Sequence, residues 1–269
     1  MKYRSPCALP AAVFLMTLGA CQSAGTSAQP VEFASTGIPS IRSEIAAAPG
    51  EFWRDIKGTF TSKHNLFLLG GAFAAAEAAD ALGFADGIHE EIQSEREVDL
   101  GQTLNDTLQG AGDGAFLVAV ALGFWGYGHA SGNVRTHEVG SRAIAALAAT
   151  GLITQVIKTI VPEKRPNGGN GSFPSGHSSM AFAFADTMRR SYGWKVGVPL
   201  YIIASGVALQ RLDASYHELE DVVVGAALGL AVSRTVHLRR GEEEQAVLSI
   251  GPYVNDASGA VGLSVSLQF

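Results

Sequence analysis

Cysteine is nearly missing from this chain. The 269 residues hold two, Cys7 and Cys21, so the fold does not rest on a disulfide framework. Charge is also sparse, at 16% of residues, and acids outnumber bases 25 to 19. A net charge of −6 argues against nucleic acid as a partner. Long hydrophobic runs are lacking too. Crossing a bilayer takes about 20 predominantly apolar residues, whereas Ala143–Ile157, Ala115–Gly126 and Val222–Val232 are shorter than that. No internal repeat is evident.

What is present is alanine and glycine at helical spacing. Apolar helical stretches are predicted near 65–83, 115–130, 142–161, 177–191, 196–211 and 217–236, with a polar segment at 88–110. Their small residues suit close packing in a soluble bundle, and they would equally suit helix packing inside a membrane. Phe52, Trp53, Ile56 and Phe60 recur at helical spacing, which predicts an amphipathic helix packed on the bundle or lying on a membrane surface. Glu77 and Asp80 interrupt an apolar segment and mark its polar face or a buried pair. At the end of the chain the pattern changes. Val247–Val254, a turn at Asn255–Gly259 and the alternation Val261, Leu263, Val265, Leu267, Phe269 predict a β-hairpin over 246–269.

The start of the chain reads as an address. Lys2 and Arg4 precede an apolar run, Ala8–Ala20, closing on Leu18-Gly19-Ala20-Cys21. A charged start and apolar core predict a secretory signal over 1–20. Leu-Gly-Ala-Cys resembles a bacterial lipobox, which implies acylation of Cys21. Residues 21–50, rich in Ala, Ser, Gly and Pro, follow as a lipidated tether, and the helical domain is expected over 51–240. Gln22 after the cysteine resembles outer-membrane sorting, which implies a lipid-anchored protein facing the periplasm. The alternative is an integral inner-membrane protein.

Three short stretches carry chemistry. Lys158 closes one apolar run and stands seven positions before Arg165-Pro166; Pro174-Ser175-Gly176-His177 follows the Gly- and Asn-rich loop 167–171; Arg211 follows a second apolar run, with His217 and Asp221 beyond it. Cations at the ends of apolar runs call for a partly buried anion, and guanidinium forks suit phosphate. Ser175 opening a helix, with Gly176 allowing close approach, makes backbone N–H groups available to an oxyanion. His217 and Asp221, four apart, would share a helix face, where the carboxylate fixes the imidazole tautomer. Two histidines and a carboxylate could also hold a metal; three cations beside them favour an anion, so no cofactor is expected. Glu218 and Glu220 suit a helix first turn. Asp213 is expected to cap the next helix or pair with Arg211. His64, His89, His129, His137 and His237 match no motif and read as solvated or structural.

This order and spacing over 158–221 resembles the signature of the type 2 phosphatidic acid phosphatase superfamily, which includes class A acid phosphatases and vanadium-dependent haloperoxidases. One position departs: Gln210 stands where the family usually has Ser before the arginine. The resemblance implies an all-α bundle of that type, here with a C-terminal hairpin. It implies His217 as a nucleophile forming a phosphohistidine, Asp221 as its orienter and His177 as the acid for the leaving oxygen. Lys158, Arg165, Ser175, Gly176 and Arg211 would bind the phosphate. The expected substrate is a phosphate monoester, a lipid phosphate or a diphosphate, and the expected partner is a membrane, reached through Cys21. A vanadium haloperoxidase and a non-catalytic envelope scaffold are the rival readings. Nothing in the sequence fixes the oligomeric state.

Overall fold

The computed structural model describes residues 37–84, 87, 102–240, 248–255 and 260–267. The expected signal segment, Cys21 and the lipobox lie outside the described residues. Eight helices are described: α1 (Ile41–Thr61), α2 (Lys63–Ala81), α3 (Gln102–Ala111), α4 (Gly114–Ser131), α5 (Val134–Ile160), α6 (Gly176–Tyr192), α7 (Trp194–Asp213) and α8 (Leu219–Arg239). Five of them begin for the same local reason. The side chains of Ser40, Ser62, Asp113, Asn133 and Ser175 each accept a hydrogen bond from the backbone N–H three residues on, satisfying a donor that the helix cannot.

The cap at Ser40 starts α1 well before the expected Glu51, so Ile41–Gly50 are helix rather than tether. Its Phe52 and Ile56 pack inward against Ala145, Ile153, Leu228 and Val236, the packed arrangement foreseen for this segment, while Trp53 and Phe60 remain exposed. Polar ties hold it there. Asp55, fully buried, accepts from Arg239 Nη1 and Arg240 Nη2, both at 2.9 Å. Asn65 of α2 donates to Thr235 Oγ1 at 2.8 Å and to Ala231 O at 3.2 Å on α8. Glu77 and Asp80 are exposed, as a polar face requires.

The bundle closes most tightly where α6 meets α8. A Cβ added at Gly229 would stand 2.2 Å from Ser179 O, and one at Gly225 2.7 Å from Ser175 O. Only glycine lets the two backbones come this near. The same device brings α4 to α5, where a Cβ at Gly140 would lie 2.2 Å from Trp125 N.

The outer surface favours the membrane reading over the soluble one. Phe67, Phe73, Phe116, Leu152, Ile160, Ile202, Ile203 and Leu209 all face outward, more apolar surface than a water-exposed bundle tolerates. Among the described helices, α5 and α8 are long and apolar enough to cross a membrane, at 27 and 21 residues, and α3 with α4 forms a pair bent by 60° that passes the same test as one unit. Arg142, Thr150 and Thr154 of α5 are buried inside the bundle, while Leu152, Val156 and Ile160 face outward. The chain is built for membrane association. The hairpin pairs β1 (Leu248–Asn255) with β2 (Ala260–Leu267), antiparallel, from Leu248↔Leu267 to Asn255↔Ala260.

Candidate active site

The tight α6–α8 contact builds one half of the site. Ser175 N donates to Asp221 O at 2.9 Å, joining the start of α6 to the first turn of α8. Ser175 itself is fully buried, its Oγ turned to cap α6 by accepting from Ser178 N. That leaves the backbone beside Gly176, rather than the hydroxyl, available to an oxyanion.

His217 and Asp221 meet, but not as a helical i,i+4 pair. α8 begins at Leu219, so His217 precedes the helix and Asp221 occupies its first turn. The Asp221 carboxylate folds back as part of a capping box with Glu218. Its Oδ2 lies 3.2 Å from His217 Nδ1 and accepts from Glu218 N at 2.9 Å and Ser172 Oγ at 2.5 Å. Glu218, not Asp213, caps α8; Asp213 is the last residue of α7. With Nδ1 facing a carboxylate, His217 directs Nε2 elsewhere. Burial pushes the His217 imidazole below its usual value, with the Asp221 hydrogen bond and charge opposing this, and Lys158 and Arg165 adding to it.

A cavity of about 550 Å³ is lined by His217, His177, Arg165, Arg211 and Tyr216, and by Asp106, Gln109, Gly110 and Asp113 from α3 and the turn into α4. The Tyr216 ring lies between two of the expected phosphate ligands: Arg211 Cζ stands 4.9 Å from its centroid and Arg165 Cζ 5.6 Å. Stacking on one aromatic lets two guanidiniums converge despite like charge. Arg211 is further held by Gln210 Oε1, accepting from Nε at 2.6 Å, and Gln109 Oε1, accepting from Nη2 at 3.2 Å. His177, half-buried in the first turn of α6, is pushed down to about 4 by burial and then by Arg211, against the pull of Asp113.

Lys158 differs from the other cations. Its Nζ donates to the carbonyls of Gly171 and Ser172, the latter at 2.9 Å, and it does not line the cavity. It braces the loop that presents Ser172 to Asp221. Sequence reasoning missed Ser172, Tyr216, Asn105, Asp106, Gln109 and Asp113. Tyr216 adjoins His217 and Ser172 precedes Phe173-Pro174, so adjacency could have flagged both. The α3 residues carried only a signal of polar side chains at 105, 106 and 109 in a helical repeat.

Residues 167–244 match the PAP2 superfamily, a stretch holding the second and third motifs. A 104-residue segment is 36% identical to the probable diacylglycerol pyrophosphate phosphatase 1 of Schizosaccharomyces pombe, covering 33% of this chain and 37% of that protein. A 72-residue segment is 38% identical to the lipid A 1-phosphatase of Porphyromonas gingivalis, covering 25% and 16%. The chain thus spans well under half the length of these relatives. The fold is similar to a transmembrane PAP2 type phosphatidylglycerolphosphate phosphatase from Bacillus subtilis, with a TM-score of 0.52 and 20% identity over 64% of this chain and 92% of that one. Residues 167–244 thus carry the resemblance to the PAP2 superfamily, and the helical fold around them is similar to that of a PAP2 type structure.

Proposed function

We propose that this chain is a phosphatase that removes phosphate from a membrane lipid phosphate or diphosphate through a phosphohistidine on His217. The observation that carries the reading is one cavity ringed by His217, His177, Arg165 and Arg211, its guanidiniums stacked on Tyr216 rather than neutralised. Relatives named for lipid phosphates and an apolar outer surface favour a lipid over a soluble monoester.

Arg165, Arg211 and the backbone at Gly176 hold the phosphate oxygens and take up charge in the transition state. His217 Nε2 attacks phosphorus, and the bond to the lipid oxygen breaks. His177 gives its proton to that oxygen, and Asp221 stabilises the imidazolium at His217. A bound phosphate adds the negative charge that draws a proton onto His177. Water then attacks the phosphohistidine, His177 takes the water proton, and inorganic phosphate leaves. The donors converging on the cavity suit an anion directly, so the chemistry needs no metal.

Purified protein in detergent should release phosphate from short-chain phosphatidic acid or a lipid diphosphate, equally with and without EDTA. It should remain in the membrane fraction through alkaline carbonate, as a chain crossing with α5 and α8 does. No release from any lipid phosphate sinks the enzymatic reading, and loss of activity in EDTA with rescue by a divalent ion sinks the metal-free mechanism.

A further inference from the structure

Gln210, which precedes Arg211 in the third motif, is not idle. It is buried near the end of α7, with its amide held from both sides. Oε1 accepts from Arg211 Nε, and Nε2 donates to Asn105 Oδ1 on α3, each at 2.6 Å. The two neighbours fix the amide orientation, since Arg211 can only donate and so requires the oxygen. Gln109, one turn beyond Asn105 on the same face of α3, reaches the guanidinium from its other end. α3 and α7 are close-packed beside this contact: a Cβ at Gly206 would meet Leu108 Cδ2 at 3.0 Å.

We propose that Asn105 and Gln210 form a positioning bridge that ties the Arg211 guanidinium to α3, so that the wall of the cavity and its oxyanion ligand are set together. The proposal rests on the reading of Arg211 as a phosphate ligand. A serine at 210 has one short hydroxyl, enough to meet an arginine but not to span to the neighbouring helix. Glutamine supplies the reach and both hydrogen-bonding senses. The bridge is neutral throughout, so it orients the guanidinium and leaves its charge for the anion. Asn105 and Gln210 are positioning residues; they act on substrate through Arg211.

The test uses the full chain in detergent, with orthovanadate as probe by calorimetry and short-chain phosphatidic acid for turnover. Asn105→Leu and Gln210→Ala should each weaken vanadate binding and lower kcat/KM about tenfold, as expected for losing the orientation of a group that binds the phosphate and takes up charge in the transition state. The double variant should be no worse than either single one, because both break one connection. Asn105→Asp keeps the acceptor but puts a negative charge on the bridge, so it should bind vanadate more weakly than the unmodified protein. Gln210→Ser, whose hydroxyl stops short of Asn105, should match Gln210→Ala and serves if Asn105→Leu does not fold. Unchanged vanadate affinity in the single variants, or additive losses in the double, overturns the bridge, as does an unmodified protein that binds no vanadate. Protein that binds vanadate with the expected variant pattern yet releases no phosphate overturns the phosphatase reading and leaves the bridge standing.

Discussion

The two ends of α6 and α8 treat buried charge in opposite ways. At their N-terminal ends Arg211 is held by two amide oxygens and a tyrosine ring, Arg165 by the same ring, and Lys158 by backbone carbonyls. At their C-terminal ends the cations meet carboxylates. Asp55 takes Arg239 and Arg240, while Asp186 takes Arg189 Nε at 2.9 Å and Arg190 Nε at 2.7 Å and accepts from Tyr201. A buried cation given a carboxylate is a fixed part of the fold, costly to break. A cation given only neutral partners keeps most of its field for a ligand. The difference separates the end that binds from the end that holds.

The largest expected effect breaks the binding end alone. His217→Ala should lower turnover by on the order of 10⁴ or more and abolish rapid acid-labile ³²P capture, with thermal stability unchanged. His177→Ala should cost about 10² to 10⁴, more for lipid alkoxides than for p-nitrophenyl phosphate, whose leaving group needs no proton. Labelling of the His217→Ala protein at the native level would place the nucleophile elsewhere.

The holding end should fail in the reverse sense. Asp55→Ala takes the buried carboxylate from two guanidiniums, leaving Arg239 with Glu51 at 3.6 Å, and should lower unfolding free energy by about 2–3 kcal/mol, below that of a fully broken buried pair because the arginines are partly exposed. KM should stay near native at temperatures where the fold survives. A KM change as large as that of Arg211→Ala would erase the distinction between the ends.

Acid should separate them more finely. His177 lies near 4 in the fold against a usual 6.5. Its neutral form therefore contributes stability that is full above about 6.5 and lost as pH falls toward about 4. His217 shifts in the same direction, so its nucleophilic form persists below 6.5 and the acid limb of kcat/KM should lie there. Asp186 stands at about 2 because Arg190 and Arg189 outweigh the upward push of its burial. Its stabilisation is present above its usual 3.8 and lost only below that value. Unfolding midpoints measured against pH should show two windows, the first made shallower by His177→Asn but not abolished, because His217 and His237 are also held below their usual 6.5. A single window below 4 would contradict the assignment.

The motifs were legible because each is local. Lys158, Arg165, Ser175, His177, Arg211, His217 and Asp221 are set by spacing within one stretch of chain, and the helices by cap residues and periodicity. Three things were not. The His217–Asp221 contact looked like a helix face because the spacing is four, yet the carboxylate serves as a cap, and only the start of α8 distinguishes the two. Asn105 and Gln109 meet Gln210 and Arg211 across some hundred residues, a pairing no local pattern encodes. The apolar outer surface was obscured because polar residues such as Arg142, Thr150, Thr154, Ser233 and Thr235 interrupt α5 and α8 in sequence while being buried in space.

The closeness of α6 and α8 carries a genetic consequence. Asp221 is placed by a helix whose Gly225 and Gly229 lie against the backbone of its neighbour. A single methyl at either position must push α8 away and carry the carboxylate of the site with it, an overpacking strain of about 1–3 kcal/mol. A random screen for inactive yet folded variants should therefore return substitutions at Gly225 and Gly229 alongside those at the histidines. Inheritance of the site's geometry is constrained at two positions that do not line its cavity.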